Sequence, residues 1–232
     1  MGFRFLASLA AFLGLAACTS AGPASSPVSR TAEWFSYIAG EDIQAGCHEG
    51  APDRYRFVYN AVYTEQVRTY DLSLETGATG LLRLTVFGGF PVSTFSLKDP
   101  LARWRGEVSW ESVTPESVAR IRAELADAGF FAPPPVGKFL DSGNFYWVVN
   151  ACIDGRHYFN VFTAPGHPVA ELGFFVELLR YDGTDVALNP VRPREARGED
   201  RPGPPTSLEA ARLGPRFLLQ VGNDGLLVRP LG

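Results

Sequence analysis

Apolar and polar residues alternate in several short segments of the chain, which is the pattern of β-strands that bury one face. In residues 55–63 four aromatic side chains lie on one side of an extended backbone. Residues 107–111 alternate in the same way, and we predict that Val108 and Trp110 face the core. The aromatic residues of the first segment are Tyr55, Phe57, Tyr59 and Tyr63. Further strands are predicted over residues 66–74, 80–87, 145–152 and 156–162.

The dipeptide Asp154-Gly155 lies between the last two of these strands. It favours a two-residue type I′ turn, because both central positions of that turn need a positive φ. A turn of this length pairs Cys152 with His157 across the hairpin. Both faces of the hairpin are apolar, so we predict that it lies centrally in the sheet with both sides covered.

One helix has clear signals at both ends. Thr114 is the predicted N-cap, Pro115 is the first helical residue, and Gly129 is the residue that ends the helix. A second amphipathic helix is predicted over residues 168–180, and a short helical turn over residues 33–39.

The order of strands, helix, hairpin, helix and final hairpin predicts an α+β fold. We expect an antiparallel sheet of about five to eight strands, with two main helices packed against it, in a globular domain over residues 31–189. Residues 190–215 are rich in Pro, Arg and Gly without periodicity, which predicts a linker or an extended surface wrap. Residues 216–232 predict a hairpin that either adds to the sheet or folds back over it.

The first residues have the parts of a secretory signal: Arg4 is positive, and residues 5–15 form an apolar run too short to span a bilayer. The sequence LAAC at positions 15–18 then resembles the lipobox of bacterial lipoproteins. The resemblance implies a signal peptide over residues 1–17, cleavage before Cys18, and lipid on the Cys18 sulfur and new amino group. The alternative is an ordinary secretory signal, cut at an Ala-x-Ala-like site, in which Cys18 has no role.

The lipoprotein resemblance also implies a location. Thr19 stands where an Asp would resemble an inner-membrane retention signal, so we expect the inner leaflet of the outer membrane, facing the periplasm. A lasting anchor needs more than one acyl chain, because each buried methylene contributes only about 0.8 kcal/mol. Residues 18–30 are rich in Ser, Ala, Gly and Pro and are predicted to form a flexible tether behind the lipidated cysteine. The membrane is therefore an expected partner.

Composition narrows the other possibilities. Apolar residues make up 46% of the chain and aromatic residues 12%, which is ample material for a packed core. The net charge is −4, and the lysines are limited to Lys98 and Lys138. A nucleic-acid-binding protein needs clustered basic side chains that neutralise phosphates. We therefore expect no nucleic-acid partner.

With the lipid-bearing cysteine set aside, Cys47 and Cys152 remain, and two such cysteines in an oxidising periplasm often form a disulfide. Two buried thiols or one reactive thiol are the alternatives. If Cys152 were free, His157 could lower its pKa, with Asn150 or Asp154 as an orienting group. Cys152 and His157 are thus the catalytic candidates, although a disulfide beside an ordinary strand histidine is the simpler interpretation.

The sequence contains no motif that indicates a cofactor, a metal site or another type of catalysis. The chain has no phosphate-binding loop, nucleophile elbow or HExxH sequence, and no zinc-like spacing of His and Cys, so we expect no cofactor and no metal. Paired carboxylates can serve glycosidase chemistry, but a solvated sheet face is the simpler interpretation of Asp71, Glu75, Glu107 and Glu111. Aromatic side chains can line a sugar or peptide groove, but core packing is the simpler interpretation of Tyr55, Tyr59, Tyr63, Trp104, Trp110, Tyr146 and Trp147.

Three classes of function follow from these patterns. The sequence favours a non-catalytic binding or structural module of the cell envelope, with an envelope protein or a glycan as a possible partner. The alternative is an unrecognised envelope enzyme of thiol or hydrolase type. A third interpretation is an assembly accessory whose tail, from Pro190 onward, adds a strand to the edge of a partner's sheet.

Overall fold

The computed structural model describes residues 27–74, 79–88, 106–163, 169–191 and 217–229. The chain divides into two compact units, Met1–Trp34 and Phe35–Gly232. The described part of the first unit is helical and belongs to helix α1, Pro27–Ala39. The second unit contains all the elements considered below.

An antiparallel sheet of six strands forms the centre of the second unit and confirms the predicted α+β fold. The strands lie in the order β4-β3-β2-β1-β6-β7, with β1 and β6 in direct contact. Each pair of neighbours is antiparallel. The bounds are Arg54–Ala61 for β1, Gln66–Leu74 for β2, Gly80–Gly88 for β3, Glu107–Val113 for β4, Phe145–Ile153 for β6 and Arg156–Thr163 for β7.

Two helices cover one face of this sheet, which we call the helix face. They are α3, Pro115–Asp127, and α4, Gly173–Leu179. Apolar side chains of both helices join the alternating residues of the strands in one buried cluster. Trp147 of β6 lies at its centre, because its ring stacks on the ring of Tyr59 at 4.6 Å and meets that of Phe175 at 4.6 Å.

The opposite face of the sheet is covered over part of its width. Helix α2, Glu41–Gly46, and a small sheet of three strands lie over β1, β6 and β7, where Asn60 of β1 donates to the carbonyl of Ser142 and Lys138 donates to Thr163 of β7. The small sheet has the order β5-β8-β9. Its strands are Phe139–Asp141 for β5, Leu218–Val221 for β8 and Leu226–Arg229 for β9.

Several local predictions are confirmed. The Thr114 hydroxyl accepts a hydrogen bond from the Ser117 amide at the start of α3, and Gly129 takes a φ of 80° just beyond its end. Asp154 and Gly155 have φ values of 51° and 73°, as the predicted two-residue turn requires. The register pairs Cys152 with His157.

Three element predictions are corrected. Helix α1 begins at Pro27, inside the segment 18–30 that we predicted as tether, because proline is well suited to the first helical position. Helix α4 spans Gly173–Leu179 rather than 168–180, since residues 169–172 form turns before it. Strand β7 lies at an edge of the sheet rather than inside it, because the final hairpin pairs with β5 instead of β7.

The prediction that Val108 and Trp110 face the core is wrong. In β4 the side chains of Glu107, Ser109, Glu111 and Val113 lie on the helix face, because Val113 is fully buried there. Val108 and Trp110 therefore lie on the opposite face, with exposed fractions of 40% and 56%. The predicted alternation is present, but Val113 is the residue of β4 that is buried in the core, and Trp110 is on the opposite side.

Candidate functional site

One buried arginine attaches residues 37–42 to the sheet. Arg56 in β1 donates to Asp71 of β2 at 2.6 Å and to Asp42 of α2 at 2.5 Å. Its guanidinium lies 3.7 Å from the centre of the Tyr37 ring, and the Tyr37 hydroxyl donates to Asp71 at 2.6 Å. Burial alone would raise the pKa of Asp42, but the hydrogen bond and positive charge of Arg56 lower it. The positive and negative charges of these groups neutralise one another, so the cluster is explained by its role in holding the structure together.

A second buried arginine, Arg68 in β2, fastens the irregular chain after α4. Its Nε donates to Gln66 at 3.1 Å, and its terminal nitrogens donate to the carboxylate of Asp182 and the carbonyl of Val186. Arg68 is fully buried on the helix face, so its charge is balanced by Asp182 rather than by solvent. This cluster also has a structural explanation.

The predicted disulfide between Cys47 and Cys152 is confirmed, with the two Cα atoms 5.5 Å apart. It connects the chain directly after α2 to strand β6. His157 lies opposite Cys152, its Nε2 is buried, and it has no hydrogen-bond partner within the described ranges. Burial lowers the pKa of His157, and the charge of Asp224 opposes this shift. Since the Cys152 sulfur is bonded to Cys47, it offers no thiol for the imidazole to activate.

The two proposed orienting groups are engaged elsewhere. Asn150 donates to the carbonyl of Ile38 at 3.1 Å, and the Asp154 carboxylate accepts a hydrogen bond from Arg122 at 3.1 Å. His48 is exposed, and its Nδ1 lies 3.0 Å from the carbonyl of Glu49. The lipidation site Cys18, the signal peptide 1–17 and His167 lie outside the described residues.

The candidate carboxylates are dispersed. Glu107 and Glu111 share one face of β4, but that face is the helix face, where Glu107 accepts the backbone N–H of Asp185 at 2.8 Å. Asp71 is paired with Arg56, and Glu75 lies outside the described residues. In the part of the chain that the structure describes, no three His, Cys, Asp or Glu side chains lie close enough to hold a metal ion.

The aromatic candidates divide into buried and exposed residues. Tyr55, Tyr59, Tyr146 and Trp147 are buried, as core packing predicts. Tyr63 is half-buried, and its ring meets the ring of Phe217 at 4.8 Å. Trp104 lies outside the described residues. Trp110 has the opposite environment, since more than half of it is exposed.

Trp110 belongs to a set of exposed side chains on β3 and β4, which we call the Trp110 face. The register places Leu81 opposite Ser112 and Arg83 opposite Trp110, so these side chains form adjacent rows. The Arg83 guanidinium lies 5.6 Å from the Trp110 ring centre, within the range of a cation–π contact. All members are exposed: Leu81, Arg83, Val108, Trp110 and Ser112.

The burial of this side of the sheet ends within β3. On β2, Val67 and Thr69 are buried on the same side of the sheet, whereas Leu81 on β3 is 41% exposed. Thr85 of β3 is also buried on this side, so among the described residues the open part consists of Leu81 and Arg83 of β3 and the exposed side chains of β4. A tryptophan flanked by aliphatic and arginine side chains on an open surface has the composition of a protein-binding hot spot.

The two edges of the large sheet also differ. Beyond β7, the side-chain amide of Asn160 donates to the carbonyls of Phe130 and Ala132, and five of the eight β7 residues are buried. In β4 a single residue, Val113, is buried. Among the described strands none pairs with the outer side of β4, so its outward backbone groups have no partner strand there.

Comparison of the chain with protein-family models, with curated proteins and with solved structures gives no match. Within the described ranges no helix has the length and apolar character that a membrane span requires. The fold and the Trp110 face define the class of the molecule: it is an α+β domain with one internal disulfide among the described residues and an exposed tryptophan on an edge strand of its sheet.

Sequence reasoning named Trp110 as a candidate groove residue but placed it in the core. The available signal was the pair Glu107 and Glu111, because a strand with two carboxylates is typical of an exposed sheet edge. Arg83 was missed entirely, since its partner across the strands is known only from the register. Arg83 and Trp110 are 27 positions apart, and the spacing of residues along the chain does not indicate that they lie opposite each other on neighbouring strands.

Proposed function

We propose that the protein is a lipid-anchored, non-catalytic binding module of the cell envelope, which holds an envelope protein or a glycan on the Trp110 face. Cys18 would carry the lipid, and the domain would face the periplasm from the outer membrane. The observation that supports a binding role is the exposure of Trp110 beside Arg83 on a part of the sheet that the covering elements leave open.

The chemistry of the interior supports binding over catalysis. Arg56 and Arg68 are each neutralised by carboxylates, and the Cys152 sulfur is part of the disulfide. A binding surface, by contrast, needs apolar area that water does not satisfy well, and Trp and Arg supply much of the affinity at protein interfaces. The Trp110 face has both residue types at its centre.

The proposal is tested by photocrosslinking in intact cells. A photoreactive amino acid at Ser112, beside Trp110 on the same face, is expected to give one discrete product with an envelope component. The matched control carries the same group at Leu227, which is 57% exposed on the small sheet. Trp110→Ser in the Ser112 background should reduce the product at least about tenfold, the effect of removing a hot-spot tryptophan. Equal products from both positions, or an unchanged yield with Trp110→Ser, would contradict the proposal.

A further inference from the structure

Strand β4 has the features of a strand that pairs with another strand. Its backbone groups on the outer side have no strand partner within the described ranges, and the strand is extended over seven residues. Native proteins normally cover or interrupt such an edge, as this protein does at β7 through Asn160. An exposed edge of this length is suited to the addition of a strand.

The positions of the two glutamates restrict the register in which β4 could pair with β4 of a second copy. Consider two identical strands that pair antiparallel, with the helix faces of both sheets on the same side. The numbers of two residues that lie opposite each other then add to the same even number along the whole pair, and this sum defines the register. A sum of 218 places Glu107 opposite Glu111, and a sum of 222 places Glu111 opposite Glu111. Both arrangements oppose like charges, which destabilises a strand pair.

The register centred on Trp110, with a sum of 220, has no such conflict. Glu111 faces Ser109, Glu107 faces Val113, and Val108 faces Ser112 of the other copy. Three registers give at least three different residue pairs, and their sums are 218, 220 and 222. In the register with a sum of 220 alone, no glutamate lies opposite another glutamate. It also brings the two Trp110 side chains together at the centre, and aromatic pairs across strands are stabilising.

We infer that the protein forms a two-fold dimer in which β4 pairs antiparallel with β4 of a second copy, centred on Trp110. The two sheets then form one continuous sheet of twelve strands, twice the six of each copy. The exposed rows of both copies become a single surface, with Arg83 of each copy beside the central tryptophan pair. This inference goes beyond the proposed function, because a dimer exists with or without another partner.

Cysteine crosslinking of the full-length, membrane-anchored chain tests the register. Cross-strand neighbours have Cβ atoms close enough for a disulfide. Trp110→Cys should form a covalent dimer on mild oxidation. Val108→Cys and Ser112→Cys should each remain monomeric alone, and crosslink when the two variants are expressed together. Ser109→Cys is the matched control, because a self-crosslink at that position belongs to the sum of 218. A dimer from Ser109→Cys, or none from any variant, overturns the inference.

Sedimentation of the unmodified full-length chain in detergent provides a second readout that requires no cysteine. The wild-type protein should have the mass of a dimer. Trp110→Glu places two carboxylates opposite each other and should raise the concentration at which half of the protein is dimeric by at least about tenfold. Leu227→Glu introduces the same charge on the small sheet and should leave the mass unchanged. A monomeric wild-type protein at all concentrations, or equal effects of both variants, contradicts the dimer.

The two proposals fail in different ways. A monomeric protein that still gives the product with an envelope component from Ser112 retains the proposed function and loses the dimer. A dimeric protein whose Ser112 product contains two copies of this chain alone retains the dimer and loses the envelope partner.

Discussion

At the scale of single residues, the structure separates buried charge from surface charge within one short strand. Arg54 and Arg56 both pair with Asp42, but the Arg54 side chain is 39% exposed and that of Arg56 is 5% exposed. Arg56 also binds Asp71, so its loss leaves Asp71 without this arginine, whereas Asp42 keeps Arg54. The same residue type therefore has two different energetic roles two positions apart.

This contrast gives a prediction for unfolding experiments. Arg56→Met should lower the free energy of unfolding by about 3 kcal/mol, because breaking a buried pair leaves uncompensated charge. Arg54→Met, the matched control, should lower it by less than about 1 kcal/mol, as is usual for an exposed ion pair. Urea denaturation at neutral pH measures both. Equal losses in the two variants would show that the buried cluster has no special role.

The Tyr59 hydroxyl gives a second prediction at this scale. Tyr59 is fully buried, its hydroxyl has no hydrogen-bond partner among the described residues, and burial raises its pKa to about 12. Tyr59→Phe should leave the free energy of unfolding unchanged or raise it by up to about 1 kcal/mol, because a buried unpaired polar group is removed.

Tyr37→Phe is the matched control for Tyr59→Phe. The Tyr37 hydroxyl donates to the Asp71 carboxylate, so its removal should cost about 1–3 kcal/mol. Thermal and urea unfolding of the two variants in parallel test the difference. A clear loss of stability in Tyr59→Phe would indicate that its hydroxyl has a partner in solution.

At the scale of elements, signals set by neighbouring residues predict the structure correctly, whereas the orientation and partners of strands that depend on distant residues are not predicted. The N-cap Thr114 and the turn at Asp154-Gly155 are set by a few neighbouring residues, and both match the structure. The orientation of Trp110 depends on burial of Val113 and on the register with β3, and the final hairpin pairs with β5, about 80 residues earlier. Such pairings depend on tertiary contacts that alternation along one strand does not encode.

The disulfide is the element-scale feature with the largest predicted effect. Cys47 and Cys152 are 105 positions apart, so the bond restricts a long loop of the unfolded chain. The chain-entropy model assigns such a loop roughly 4–5 kcal/mol. Cys47→Ser/Cys152→Ser should therefore be less stable by an amount of this order, and wild-type protein under reducing conditions should match it. Identical urea midpoints for the oxidised and reduced forms would contradict the prediction.

At the scale of the whole molecule, the sheet is covered on the helix face by α3 and α4, whereas among the described residues the burial of the other face extends from β7 to β2 and ends within β3. The candidate surface lies where this burial ends. Sequence alone predicted the fold class and the disulfide but not this exposed area. The area depends on which strands the covering elements reach, and that is decided by tertiary contacts. A partner that occupies the Trp110 face would complete the coverage of the sheet.

The proposed lipid anchor would determine where any such partner is found, and it is tested most directly by mass spectrometry of the N-terminal peptide of the mature protein. We predict that this peptide begins at Cys18 and carries a diacylglyceryl group on its sulfur and an acyl chain on its amino group. Cys18→Ser should lack both lipids and remain unprocessed. A mature N-terminus at another position, or an unmodified Cys18, would contradict the proposal of a membrane-anchored binding module.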